Sequence, residues 1–369
     1  RARGREALAK EPDAVRKRAA EVKPEDLATL IYTSGTTGDP KGVMLRHSNL
    51  VSNTLSAHKV FASLGPDDVA LSFLPLCHVF ERMAGHYLML EAGATIAYAE
   101  SVEKVPENMG EVQPTVMCSV PRLYEKMYAR VNEKVAGDPP LRQKIFRWAI
   151  GVGREFFQHR VTKTQPAALL KLKYAIADKL VFSKIKARTG GRLRLFVSGG
   201  APLAREIAEF FGAAGLLILE GYGLTETSPV ITVNRTDDLK PGSVGKPLEK
   251  VEVAIAEDGE ILTRGPHVMK GYFKKPEATA EIIDKDGWLH TGDIGVIDPQ
   301  GFLKITDRKK DILVTAGGKN IAPQPIENLI KTNPFFAEIV MVGNKRNFPA
   351  ALVVPNFDQL ERWAKVRNI

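Results

Sequence analysis

The stretch Ile31-Tyr-Thr-Ser-Gly-Thr-Thr-Gly-Asp-Pro-Lys-Gly-Val-Met44 decides how this chain reads. It leaves a β-rich apolar run at 28–32 and turns abruptly into hydroxyl residues and glycines. It closes on Pro40-Lys41-Gly42 before the apolar run 43–45. Gly35, Gly38 and Gly42 let the backbone bring its N–H groups close to anionic oxygens. Thr33, Ser34, Thr36 and Thr37 add hydroxyl donors, and Lys41 a mobile positive charge. A solvated Gly/Thr turn is the plain alternative, but its union with a preceding strand and Pro-Lys-Gly is rare. The segment reads as a loop that wraps a polyphosphate. It is not the G-x-x-x-x-G-K-[ST] phosphate loop, because Asp39-Pro40 separates Gly38 from Lys41 and Gly42 stands where a metal-binding hydroxyl belongs.

The 369 residues are enough for one large core and part of a second domain. No apolar run approaches a membrane span, and no secretory signal opens the chain. Cys77 and Cys118, without metal spacing, read as small buried hydrophobes in a reducing cytoplasm. The net charge of +9 suits anionic partners such as ATP, CoA or an acidic membrane surface; no compact basic and aromatic module points to nucleic acid.

Outward from the loop, Ser48 or Asn49 reads as the N-cap of a helix whose first N–H groups face back toward the phosphates. Short apolar runs at 69–74, 94–98, 193–197 and 216–219 alternate with helical segments, which predicts an α/β domain with a largely parallel sheet. Two of these strands run into polar loops, Ser198-Gly-Gly-Ala-Pro-Leu203 and Glu220-Gly-Tyr-Gly-Leu-Thr-Glu-Thr227, at the strand ends where open α/β sheets hold ligands. The region 125–188 is basic and helical, with one buried face expected at Ile145, Trp148, Ala149 and Val152. The lysine-rich segment 169–182 reads as a helix packed on the sheet with a solvated basic face; contact with an acidic bilayer is the competing reading. From 242 to 307, short β runs between Gly, Pro and Asp predict a small antiparallel barrel.

Several of these motifs, in this order, resemble one family. The loop resembles the Y-T-S-G-T-T-G-x-P-K-G-V signature of the adenylate-forming superfamily, which includes acyl-CoA synthetases, peptide-synthetase adenylation domains and firefly-type luciferases. Leu-Pro-Leu-Cys-His-Val-Phe-Glu-Arg at 74–82 and Pro-Thr-Val-Met-Cys-Ser-Val-Pro-Arg-Leu-Tyr at 114–124 are similar to long-chain fatty-acid–CoA ligases. The resemblance implies an AMP-forming activation of a long-chain fatty acid by ATP with Mg2+, followed by thioester formation with CoA. Same-class and lesser alternatives are an acyl-AMP ligase that loads a carrier protein, and a catalytically incomplete nucleotide-binding fragment.

It also implies roles for residues. His78 orients the carboxylate, and Lys41 with Thr33, Ser34, Gly35, Thr36, Thr37 and Gly38 cradles the phosphates. Gly199, Gly200, Ala201 and Pro202, with Glu220, Gly221, Tyr222, Gly223 and Leu224, surround the adenine. Thr225 meets the α-phosphate, Glu226 holds Mg2+, Asp293 and Arg308 grip the ribose, and Lys310 is the hinge of a mobile C-terminal domain. Where some bacterial relatives carry a tunnel-gating Trp this chain has Arg82, so that role does not carry over.

The expected architecture is a large α/β domain at 1–309, its N-terminal part missing and its barrel-like section at about 235–307. A truncated α+β C-terminal domain begins at 310. The adenylating lysine is expected outside the chain, and neither Lys345 nor Lys365 has its context. The expected location is cytoplasmic, with peripheral contact at the inner face of the membrane as an addition.

Overall fold

In a computed structural model that describes residues 2–33, 39–331 and 333–367, the chain is built around a seven-stranded sheet. Its first five strands in spatial order are Thr95–Tyr98, Val69–Ser72, Val116–Ser119, Leu195–Ser198 and Leu217–Gly223, all parallel. Val230–Val233 and Lys246–Pro247 extend it antiparallel.

The central strands are buried on both faces, which is why they read as continuous apolar runs instead of alternating ones. Successive residues nevertheless serve different cores. Met117, Phe196 and Ile218 point into a cluster with Phe210, Phe211 and Tyr124 under helices Pro121–Ala136, Pro140–Val161 and Arg205–Ala213. Val116, Val197 and Leu219 point the other way, against Ala57, Phe61, Met83 and Leu88.

The cap of helix His47–Val60 falls two or three residues before the expected Ser48 or Asn49. Arg46 is its N-cap, and Asn49 serves from the third helical position, its Oδ1 accepting the Arg46 N–H at 2.8 Å. Asn49 also donates to the carbonyls of Pro266 and Val268, so its reach is tertiary as well as local. The N–H groups of His47 and Ser48 are already occupied, donating to the carbonyls of Asp26 and Pro24.

Three other expectations are corrected. Cys77 is exposed in the turn before His78, while Cys118 is buried. Trp148 is exposed and Ile145 half-buried; the long helix turns Ala149, Val152 and Phe157 inward, with Gly153 close against Ala213. The 168–182 segment packs through Leu170, Ala177 and Phe182, but its outer face is apolar as well as basic.

Three smaller sheets complete the fold. Leu27–Thr33, Lys41–Arg46 and Gly271–Tyr272 form an antiparallel trio that carries the ends of the 34–38 loop, itself outside the described residues. Glu252–Ile255, Glu260–Arg264, Leu289–Ile297 and Leu303–Arg308 form a half-barrel. Beyond it lie a hairpin that pairs Leu313–Val314 with Asn320–Ile321 across the 315–319 turn, helix Pro323–Lys331, the pair Phe336–Val342 and Ala350–Pro355, and helix Phe357–Arg367. The two N-terminal helices, Ala2–Lys10 and Ala14–Glu21, bury no residue. No helix among the described residues is long and apolar enough to cross a membrane.

Glu81 opens a π-helical turn, Glu81–Tyr87, beneath the carboxyl end of the sheet. Ser72 Oγ donates to its Oε1 at 2.5 Å, and its buried Oε2 has no protein partner. Burial pushes this carboxyl up to about 7, with the Ser72 hydrogen bond opposing. A carboxyl raised in the fold is neutral in both states at low pH. Its contribution is therefore fully present below the ordinary carboxylate range and is lost as pH rises through about 7. Glu81→Gln removes that titration. Thermal or denaturant unfolding should show variant and parent nearly equal at pH 4 and the variant more stable by roughly 3 kcal/mol at pH 8.5. Parallel stability curves at all pH values would contradict this.

Candidate active site

The carboxyl ends of the parallel strands, the antiparallel trio and the half-barrel enclose a cleft of about 760 Å³. Each contributes for a local reason. After Leu217–Gly223 the chain makes a single 3-10 turn, Thr225–Thr227, fixed by Thr227 Oγ1, which accepts the Leu224 N–H at 2.8 Å. The approach before this turn is too close for any side chain, since a Cβ on Gly223 would lie 1.7 Å from the Pro229 carbonyl oxygen. After Leu195–Ser198, Gly200 takes a φ of +82°, a left-handed conformation that suits glycine. Gly199, Gly200, Gly221, Tyr222, Gly223, Leu224, Thr225 and Glu226 all line the cleft.

The half-barrel supplies the opposite wall. Asp293 and Arg308 face each other across neighbouring strands, Arg308 Nε 3.5 Å from Asp293 Oδ1. The other carboxylate oxygen accepts the Tyr222 hydroxyl at 2.6 Å. Burial holds the Asp293 carboxyl above its usual range, opposed by the Tyr222 hydrogen bond and the Arg308 charge. The Tyr222 hydroxyl is pushed far up, first by burial and then by the Asp293 charge, so it stays a donor.

Thr33 and Lys41 bring the two described ends of the phosphate-type loop to the cleft. Ser34, Gly35, Thr36, Thr37 and Gly38 lie outside the described residues. His78 reaches the cleft from the turn after Val69–Ser72, where its N–H donates to the Pro75 carbonyl at 2.9 Å. Arg82, the residue at the gate position, braces this turn instead. Its guanidinium donates to the Leu76 carbonyl at 2.9 Å and to Thr29 Oγ1 at 2.7 Å. Lys309 and Lys310 lie at the rim, and Lys309 is already paired with Asp258 and Glu260.

Three of the expected residues are not brought to the cleft wall. Ala201, Pro202 and Glu220 do not line the cleft. Glu220 is buried behind it, where its carboxylate accepts the Gly242 N–H at 3.4 Å and burial pushes it up to about 8.

Sequence reasoning missed Tyr272. Its strand pairs with Lys41–Arg46, and its hydroxyl donates to Glu226 Oε1 at 2.7 Å. Lys41 Nζ stands 5.0 Å from its ring centroid. One side chain thus links the exit of the phosphate-type loop to the acidic residue across the cleft. Nothing in Met-Lys-Gly-Tyr-Phe at 269–273 marks it, because its strand partner lies far away in sequence. The apolar arm of the cleft was also invisible. It runs between helix His47–Val60, the Glu81–Glu91 helical segment and the sheet, past Ala57, Phe61, Met83, Ala84 and Val197.

Among the described residues, no cluster of three or more His, Cys, Asp or Glu could hold a metal by itself. A single carboxylate oriented by a phenol is instead the donor set that suits Mg2+, which takes most of its shell from phosphate and water.

A glycine-walled cleft at the carboxyl end of a parallel sheet, with a carboxylate and a guanidinium facing an aromatic ring, defines a nucleotide-binding α/β protein. Residues 2–273 match the AMP-binding enzyme family and residues 310–366 the AMP-binding enzyme C-terminal domain. The chain belongs to the AMP-binding enzymes. It is 40% identical to the long-chain-fatty-acid–CoA ligase FadD15 of Mycobacterium bovis, over 97% of this chain and 59% of that protein. It is 39% identical to the peroxisomal long chain acyl-CoA synthetase 7 of Arabidopsis thaliana, over 94% of this chain and 50% of that one. The chain therefore spans between half and three-fifths of the length of these relatives. Among solved structures, ATP-bound MatB from Rhodopseudomonas palustris superposes with a TM-score of 0.65 at 30% identity, covering 90% of this chain and 58% of that one. The o-succinylbenzoate CoA synthetase MenE from Bacillus subtilis, in complex with an acyl-adenylate intermediate, gives 0.66 at 26%, covering 94% and 64%.

If Tyr272 orients Glu226 for a metal, Tyr272→Phe should raise the Mg2+ concentration needed for half-maximal ATP binding by about tenfold. Metal-free AMP binding should stay unchanged. Calorimetric titration at stepped Mg2+ reads both, and equal losses for ATP and AMP would show a merely structural role.

Proposed function

We propose that this chain carries the cleft of an AMP-forming long-chain fatty-acid–CoA ligase. The observation that supports the reading is the lining of one cleft, which combines Tyr222, Asp293, Arg308 and a glycine wall with His78 and the apolar Ala57, Phe61, Met83 and Ala84. In this reading adenine lies against Tyr222 and the glycine wall of Gly199 and Gly200. The ribose hydroxyls donate to Asp293, with Arg308 beside them. The triphosphate is held by the 33–42 loop, Lys41 and Thr225. Mg2+ on Glu226, when bound, neutralises charge on the phosphate oxygens.

The chemistry follows from placing two anions together. A fatty carboxylate oxygen attacks the α-phosphorus of ATP, pyrophosphate leaves, and an acyl adenylate remains. The sulfur of CoA then attacks the acyl carbon, the thiol proton is lost, and AMP departs. Catalysis of the first step is mainly positioning and cationic stabilisation, the role proposed for Lys41, Thr225 and His78. Lys310 follows the ribose arginine at the rim, just where residues matching the C-terminal domain begin, and is the proposed hinge. Ion pairs of exposed side chains, Arg122 with Glu338 and Glu133 with Arg362, join the 336–367 region to the large domain. Such pairs contribute little, which is compatible with a swing between two half-reactions.

The apolar arm would house the acyl chain, and Ala84 is a buried wall residue there. In the full-length gene product, Ala84→Phe should lower palmitate-dependent pyrophosphate release at least tenfold relative to a short acid such as butyrate. A uniform loss at all chain lengths, or none, would remove the arm from the acyl site.

A further inference from the structure

We propose that the outer face of the 168–184 helical segment docks on an anionic lipid bilayer. This goes beyond the cleft and stands on independent observations. Leu169, Leu172, Ile176 and Leu180 are 62%, 60%, 45% and 44% exposed, and their spacing keeps them on one side of the helix. The opposite side is anchored, with Leu170, Ala177, Phe182 and Ile185 buried. The apolar stripe is therefore presented by a helix whose own packing is already satisfied, not by an element that lacks a core.

Charge decides the occupant. Lys171, Lys173, Lys179 and Lys184 are exposed along the same segment, and Arg188 follows. Between 163 and 205 the sole acidic residue is Asp178, which is paired with Lys186 at 2.6 Å. Protein interfaces are depleted in lysine and use aromatic or arginine anchors in a pocket. A convex aliphatic stripe bordered by lysines suits a bilayer: the leucines enter the acyl boundary while the long lysine stems reach anionic headgroups.

The test is co-sedimentation with vesicles of phosphatidylcholine alone or mixed equally with phosphatidylglycerol. Binding should be at least tenfold tighter to the acidic vesicles and should weaken severalfold as salt rises to roughly 0.5 M. Leu172→Gln with Ile176→Gln should cost about tenfold or more, and Lys173→Glu with Lys179→Glu should abolish the acidic preference. Both pairs are surface changes, and unchanged melting temperatures confirm folding. Absence of vesicle binding, equal binding to neutral vesicles, or full binding by both double variants overturns the proposal.

Two other occupants are read by the same proteins. A dimer in sedimentation velocity that the Leu172→Gln, Ile176→Gln pair dissociates would assign the face to a second copy. In the full-length gene product, a polarity-sensitive fluorophore on Leu172→Cys, in a Cys77→Ser background, should emit as in water until acidic vesicles are added. Blue-shifted emission beforehand would mean that another segment covers the stripe, and would equally overturn the proposal.

Discussion

Two phenol–carboxylate hydrogen bonds hold the cleft together. Tyr222 to Asp293, at 2.6 Å, joins the large parallel sheet to the half-barrel. Tyr272 to Glu226, at 2.7 Å, joins the sheet that carries the phosphate-type loop to the turn after the strand that carries Tyr222. Three sheets thus meet at two carboxylates, beside a core that the large sheet and the half-barrel share through Tyr222, Ile231, Ile261 and Leu303. Hydrogen bonds to an ionised acceptor are stronger than neutral ones, and leaving such an acceptor buried without its donor is costly. The geometry of the site and the packing of the sheets are therefore one constraint.

Burial raises three carboxyls near the site, and they differ in the partners that oppose it. Asp293 sits in a wall that raises its carboxyl, opposed by the Tyr222 hydrogen bond and the Arg308 charge. Glu81 and Glu220 have too few partners to offset their burial, and both rise toward neutrality. The first kind of carboxylate faces the cleft; the second supports the elements behind it.

Much of the fold was legible because the parallel strands are short apolar runs that end in glycine-rich polar loops. The order of those loops, 31–44, 198–203 and 220–227, with Asp293 beyond them, points distant segments to one nucleotide site. The misses share a cause. The N-cap at Arg46 depends on chain segments that occupy the first N–H groups, the exposure of Cys77 and Trp148 on what packs nearby, and Tyr272 on pairing across the whole domain. Local sequence holds none of that. The apolar arm was hidden for a chemical reason: Ala57, Phe61 and Met83 belong to the core and to the cleft wall at once.

We propose that one cleft reads purine, sugar and phosphate together, with Asp293 and its neighbours on the sugar. Calorimetric binding of AMP and of 2′,3′-dideoxy-AMP to the parent and to Asp293→Asn tests it most directly. Asparagine keeps an acceptor for Tyr222 while removing the charge that would hold both ribose hydroxyls. Asp293→Asn should lose about tenfold or more for AMP and little further for the dideoxy nucleotide. Equal affinities of parent and variant for AMP would contradict it.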